Sequence, residues 1–498
     1  MLIPAAPSFA APALVRSGRP VITHGVQSGD VDAFKGIVWA RGDRAARMTV
    51  EVSPTPDFSK VRRIIGPMVT PDTDFTGKTQ LNGLPAGRDM FYRVTLSDPN
   101  DDSLTSEPVV GHFRTAPIQR SDIRFAWSAD LAGQGWGIDE SRGGYRIFEA
   151  IRKLQPDFFI CSGDTIYADG VLPAERTLSD GTVWRNLVTE EKSKVAETLA
   201  EYRGNFRYNL LDENLRRLNA EVPWINQWDD HEVINNWYPG EVLNDPRYTE
   251  QRVDVLAARA RQAFHEYLPI ESQPAEDGRV YRVRPYGPLL DVFVVDMRSY
   301  KDPNTDGRET TADGGVFGIK QLEWLKRELA ASRATWKVIA ADLPLSLVVT
   351  DGPSAFEAVG QGDPGVPLGR ELEVADLLSF AKRKKVTGMV WLTADVHYTA
   401  AHHYDPSRAK FTDFNPFWEF VSGPLNAAVQ VIPNDLDPTF GPEVVYQKLA
   451  PSADVAGPAF GYQFFGEIAI DGKTAAMTVR LRDIDGTVLH AIDLPPES

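Results

Sequence analysis

Asp157-Phe158-Phe159-Ile160-Cys161-Ser162-Gly163-Asp164-Thr165-Ile166-Tyr167 is a short apolar run that closes on a glycine and an acid. A strand that is apolar on both faces belongs to a sheet covered on both sides. The pattern predicts a helix over 145–154 just before it, stopped by Pro156. The same grammar recurs up and down the chain. Ile123-Arg124-Phe125-Ala126-Trp127-Ser128 runs into Ala129-Asp130, and Val222-Pro223-Trp224-Ile225-Asn226-Gln227-Trp228 into Asp229. The stretches 290–295, 336–341 and 388–393 run into Asp296, Asp342 and Ala394-Asp395. Apolar strands alternating with helices predict an α/β fold, a layered β-sheet core flanked by helices. Ligand sites of such sheets lie beyond the carboxyl ends of the strands. A single Asp there is ordinary as a helix cap; five or six delivered to one edge point to a site.

Residues 20–117 read differently. Gly36-Ile37-Val38-Trp39-Ala40, Met48-Thr49-Val50-Glu51-Val52 and Phe91-Tyr92-Arg93-Val94-Thr95-Leu96 are strands separated by turns, without a helix. The spacing of Leu81, Leu84, Gly87, Tyr92 and Val94 resembles a fibronectin/immunoglobulin-like β-sandwich. From about 460 onward, alternating strands around the Asp471-Gly472 turn predict a β-rich cap. The expected organisation is an arm over 1–19, a β-sandwich over 20–117 and a catalytic domain over 118–498. Residues 1–13 are small, apolar and uncharged, and the arm reads equally as an unstructured terminus or the tail of an export signal.

Composition narrows the function. Among 498 residues, 53 Lys+Arg against 69 Asp+Glu give a net charge of −16, the wrong sign for a nucleic-acid footprint. The single cysteine, Cys161, excludes an intrachain disulfide and a Cys-held zinc or iron–sulfur site. No run of about 18 apolar residues spans a membrane, and there is no GxSxG or Walker loop.

Three motifs carry chemistry. In Gly163-Asp164-Thr165-Ile166-Tyr167 the Asp can bridge two metal ions, and the Tyr can add a hard phenolate. In Trp228-Asp229-Asp230-His231-Glu232 the adjacent carboxylates repel each other unless cations neutralise them. There Asp230 could ligate a second metal, while His231 could protonate a leaving oxygen or ligate. In Asp395-Val396-His397 the i, i+2 spacing lets both side chains reach one centre. His402 and His403 follow and could line the mouth.

An Asp after the first strand, GDxxY, an Asp-His-Glu box and a late Asp-x-His resemble the calcineurin-like metallophosphoesterase superfamily. With a β-module in front and Phe417-Trp418-Glu419-Phe420-Val421-Ser422-Gly423-Pro424 behind, the chain from about 23 to 494 resembles its alkaline phosphatase D (PhoD-type) branch. That resemblance implies Fe3+ and Ca2+, with Asp164 bridging, Tyr167 as ferric phenolate, Asp230 and Asp395 on the calcium side, His397 on the cluster and His231 near the scissile oxygen. It also implies a phosphate ester substrate and a periplasmic or secreted location. Two departures stand out. Asp130 occupies the place where that branch often has a Cys ligand, as an Asp does in purple acid phosphatases, which leaves the first metal open. The branch's twin-arginine export signal is missing from this chain.

Secondary candidates are Arg298, Asn236 and Arg142 as substrate contacts, since an arginine fork can clamp a phosphate. The expected activity is metal-dependent phosphoester hydrolysis by a metal-activated water. A phospholipase or phosphotriester hydrolase on the same scaffold, or a non-catalytic calcium-binding protein, are the alternatives. The basic run Lys382-Arg383-Lys384-Lys385 reads as a solvated helix end.

Overall fold

The computed structural model describes residues 18–271, 278–311 and 315–497; most of the 1–19 arm lies outside them. Each of the six strand–acid units is a strand: Ile123–Ser128, Phe158–Cys161, Trp224–Asn226, Leu290–Val294, Trp336–Ala340 and Met389–Thr393. The preceding helix runs Ile147–Lys153.

These strands do not form one sheet. Ile123–Ser128, Phe158–Cys161 and Trp224–Asn226 pair in parallel within a nine-stranded sheet. Leu290–Val294, Trp336–Ala340, Met389–Thr393 and Phe417–Val421 pair in parallel within a seven-stranded one. The sheets stack face to face. Phe125, Trp127, Phe158 and Ile160 of one meet Val292, Val294, Val338, Val390 and Leu392 of the other in a shared core. Alternate residues point outward: Phe159 and Cys161 pack under the helices Ile147–Lys153, Leu199–Asn209, Glu213–Glu221 and Val253–Tyr267. Helices Gly318–Ala331 and Glu371–Lys384 cover the second sheet through Leu325, Leu329, Val374 and Leu377. The result is four layers, helix–sheet–sheet–helix, which explains why the parallel strands are apolar on both faces.

The stacked sheets keep their carboxyl edges together. Gln227, just past the Trp224–Asn226 strand, donates from its side-chain amide to the carbonyls of Val295 (3.0 Å) and Ala340 (2.8 Å) on the opposite sheet. The acid-bearing loops of both sheets therefore open at one place.

The N-terminal segment is a two-sheet β structure, but one of its sheets is not its own. Ile22–Gly29, Lys35–Gly42 and Thr76–Asn82 extend the nine-stranded sheet, joined to Trp224–Asn226 at Gly29. A side chain at Gly29 would meet the Trp224 carbonyl at 2.7 Å, which is why glycine stands there. Ala46–Ser53, Arg62–Val69 and Asp89–Asp98 form the facing sheet, across a core that includes Val38, Met48, Val50 and Tyr92.

A buried ion pair fastens this segment to the rest. Arg282 donates to both oxygens of Asp30, at 2.7 Å from Nη2 and 2.9 Å from Nε, and Glu271 adds a backbone N–H at 2.8 Å. Burial opposes ionisation of Asp30, but Arg282 and Arg284 outweigh it and hold the carboxyl below the usual range. Its contribution is present above the ordinary carboxylate range and is lost as pH falls through the depressed value. Asp30→Asn, which leaves the arginines unpaired, should cost about 3–5 kcal/mol, read as a lower urea midpoint at neutral pH; a variant as stable as the parent would contradict this role.

Candidate metal centre

Asp130, Asp164, Asp395 and His397 follow strand ends in the left-handed backbone region, at φ of +66°, +49°, +70° and +55°. Non-glycine residues there cost about 1–2 kcal/mol each, and the turns aim their side chains inward. Gly423 makes room behind the first of them, because a side chain on it would meet Asp130 Oδ2 at 2.1 Å. Gly133 does the same for the Tyr167 ring, at 2.5 Å.

Three groups of ligand atoms converge, each with its atoms within 4.8 Å of one another: Asp130, Asp164 and His397; Asp164, Asp230 and His231; Asp229, Asp230 and Asp395. The first two share Asp164 and the last two share Asp230, so the groups form a chain suited to more than one cation. The Tyr167 hydroxyl lies 2.7 Å from His397 Nε2, itself 3.7 Å from Asp130 Oδ1. His397 Nδ1 is 2.7 Å from the Ala428 carbonyl, which can only accept, so Nδ1 carries the proton and Nε2 faces the cluster as an acceptor. Burial lowers the His397 pKa to about 4, which keeps the ring neutral.

The i, i+2 spacing lets Asp395 and His397 reach one centre, but the left-handed turn places them in different groups of the cluster: His397 lies with Asp130 and Asp164, and Asp395 with Asp229 and Asp230, the division the family resemblance implies.

The residues present fit metal ions. Both oxygens of buried Asp130, and Oδ2 of Asp229 and Asp342, lack a hydrogen-bond partner. Burial first, then neighbouring carboxylates, pushes the pKa values of Asp130 and Asp164 well above the usual range. Asp229 rises to about 7 through burial, held back by Arg298. Such a cluster takes up protons unless cations occupy it. Carboxylates, a phenol and one imidazole are hard to borderline donors.

Arg298 is no substrate clamp. Its side chain is 0% exposed. Its guanidinium bonds Asp229 and both oxygens of Glu357, and reaches Asp395 at 3.4 Å and Asp342 at 3.6 Å. Arg142 lies on other partners, with Nη2 2.8 Å from Thr182 Oγ1 and the guanidinium over the Trp184 ring. Asn236 does sit beside the cluster, its backbone N–H donating to Asp230 Oδ2 at 2.6 Å and its amide to Asp351 at 3.2 Å. His402 is buried against Glu419 rather than at the mouth.

Two contributors were not read from the sequence. Asp169 Oδ1 lies 2.8 Å from His231 Nδ1, and its Oδ2 accepts the Asn235 N–H at 3.0 Å. Burial works against a charge on His231, yet Asp169 and Asp230 lift its pKa to about 10. The Tyr167 ring stacks on the imidazole, centroids 4.1 Å apart. Glu232 accepts from the N–H groups of Asp164 (3.1 Å), Thr165 (2.6 Å) and Asp229 (2.7 Å), tying two ligand loops together. The spacing of Asp169, five residues past Asp164, was the only sequence signal for the His231 partner.

Adding divalent and ferric ions to stripped protein should stabilise it by RT ln(1 + [L]/Kd), about 2.7 kcal/mol at 100-fold excess over Kd, read as a higher melting temperature. A melting curve indifferent to metal and to chelator would contradict the site.

Comparison with known proteins places this arrangement. Residues 125–481 match the model of the PhoD-like phosphatase, and residues 8–117 that of the PhoD-like phosphatase N-terminal domain. Alkaline phosphatase D of Bacillus subtilis (strain 168) is 27% identical over 398 residues, covering 75% of this chain. The match spans 64% of that relative's length. A solved structure of PhoD superposes with a TM-score of 0.71 at 22% identity, over 98% of this chain and 90% of the other. Purple acid phosphatase PPD1 from yellow lupin (Lupinus luteus) seeds superposes at 0.60 and 14% identity, over 97% of this chain and 75% of the other, sharing the fold. No helix among the described residues is long and apolar enough to cross a membrane.

Proposed function

The chain belongs to the PhoD-like phosphatase family, and from that premise we propose that it is a metal-dependent phosphoester hydrolase of the alkaline phosphatase or phosphodiesterase type. The observation that carries the reading is the chain of three ligand groups joined through Asp164 and Asp230. We assign Fe3+ to Asp130, Asp164, Tyr167 and His397, and Ca2+ to the side formed by Asp230 and Asp395. The phenol and the oxygen-rich donor set support this, and Asp130 supplies an oxygen where a thiolate is usual in the family. Family membership supports an exported location, periplasmic or secreted.

Metal ions bound by these residues would supply Lewis-acid polarisation of phosphoryl oxygens and of water. This chain's own residues do the rest. Arg298 holds Asp229 and Asp395 in place and offsets part of their charge. Asp169 fixes one ring nitrogen of His231, and the imidazole delivers its proton to the leaving oxygen as the ester P–O bond breaks. Tyr167, stacked on that ring, restricts its tilt. Buried walls of Trp228 and Trp237 behind the Asp-Asp-His-Glu loop keep bulk water from the ligand side.

Asp164→Ala should lose the bound metal by elemental analysis and abolish aryl phosphate hydrolysis while the circular dichroism spectrum stays native. Full activity in that variant would discard the mechanism. Asp169→Asn should keep the metals but reduce kcat by about 10²–10⁴, with KM little changed. Rates on mono-, di- and triesters, and on phosphatidylcholine, identify the preferred ester.

A further inference from the structure

The two ends of the parallel strands differ in charge. At the carboxyl edge lie the acids; at the amino edge of the seven-stranded sheet opens a cleft of about 590 Å³. Its lining includes Arg120, Arg333, Lys337, Lys384 and Lys385, against one acid, Glu497. In a chain of net charge −16 this is a marked local excess. None of the five cations forms an ion pair within 4.0 Å with another described residue.

Helix-end electrostatics accounts for part of the cluster. Lys384 and Lys385 close the helix Glu371–Lys384, and Arg333 follows the helix Gly318–Ala331. It does not account for Arg120, which comes from the linker ahead of Ile123–Ser128, or for Lys337. Lys337 lies in the floor, 6% exposed, and its ammonium makes one bond, to the Ala334 carbonyl at 2.6 Å. Glu497 is the acid nearest in the lining, and one of its oxygens is already engaged by the Gly388 N–H at 2.8 Å.

We propose that this amino-edge cleft binds a phosphate-linked polyanionic chain, independently of the metal centre. Convergence of five cations from four segments, with Asp291 and Glu497 as the acids that act on Lys337, suits several successive negative charges better than one small anion. The lining has no aromatic side chain on which bases could stack, which disfavours a single-stranded nucleic acid. A flat anionic membrane could not reach Lys337 in the floor. The site is separated from the metal centre by the length of a five-residue strand such as Trp336–Ala340, about 16 Å at 3.3 Å per residue. It would therefore retain a chain without occupying the metal centre.

The test is fluorescence anisotropy of end-labelled polyphosphate of about 20 units with the full, metal-loaded protein. Binding should weaken roughly 50-fold between 50 and 200 mM salt if about four contacts form. The triple variant Arg333→Glu/Lys384→Glu/Lys385→Glu, altered only at exposed positions, should lose at least tenfold in affinity while its aryl phosphate kcat/KM is unchanged. Lys337→Met should weaken binding in the same direction. Unchanged affinity in the triple variant would locate the binding elsewhere and overturn the proposal. So would orthophosphate competing at equal phosphoryl concentration, which indicates a small-anion site, or dT20 binding as tightly as polyphosphate. Binding is read without turnover, so these outcomes stand apart from whether the metal centre hydrolyses esters.

Discussion

Mutual repulsion among buried carboxylates is the constraint around which this molecule is built. At an effective dielectric of about 20, two like charges 4 Å apart repel by about 4 kcal/mol. Arg298 alone lies within 4.0 Å of Asp229, Asp230, Asp342, Glu357 and Asp395. Lys301 adds a second cation at Glu357, 2.8 Å away. Two cations cannot balance those five acids, and neither reaches Asp130. Both oxygens of Asp130, and one each of Asp229 and Asp342, are left without a hydrogen-bond partner. Arg298, Lys301 and the imidazole of His231 therefore offset only part of this charge, and the remainder suits the site to bound cations.

The scaffold sustains this unfavourable concentration of charge by rigidity. Ligand loops leave the strands in left-handed turns, whose cost is met by the packed four-layer core. Glu232 ties the Asp164 and Asp229 loops, Gln227 ties the two sheets, and Gly423 lets the backbone pass close behind Asp130. Strain and like-charge repulsion are held at one edge, away from the apolar interior between the sheets.

Charge is also sorted along the strands. Acids gather where the parallel strands end and cations where several of them begin, as Lys337 and Asp342 illustrate at the two ends of one strand unit. Helix macrodipoles contribute to the sorting, since the covering helices end near the basic cleft.

The sequence by itself determined the strands, the fold class and the ligand types, because apolar runs ending in acids are a local signal. Ile123–Ser128 was legible to the residue, and Asp130, Asp164, Tyr167, Asp230 and His397 were all named from motifs. Pairing is not local. Only the tertiary structure divided the strands between two stacked sheets and merged the N-terminal strands into one of them. It also turned Arg298 from a candidate phosphate clamp into the counter-charge of five acids and gave His231 its partner in Asp169. An arginine or aspartate has the same letter whether it faces water or a buried partner, and burial is a property of the whole packed chain.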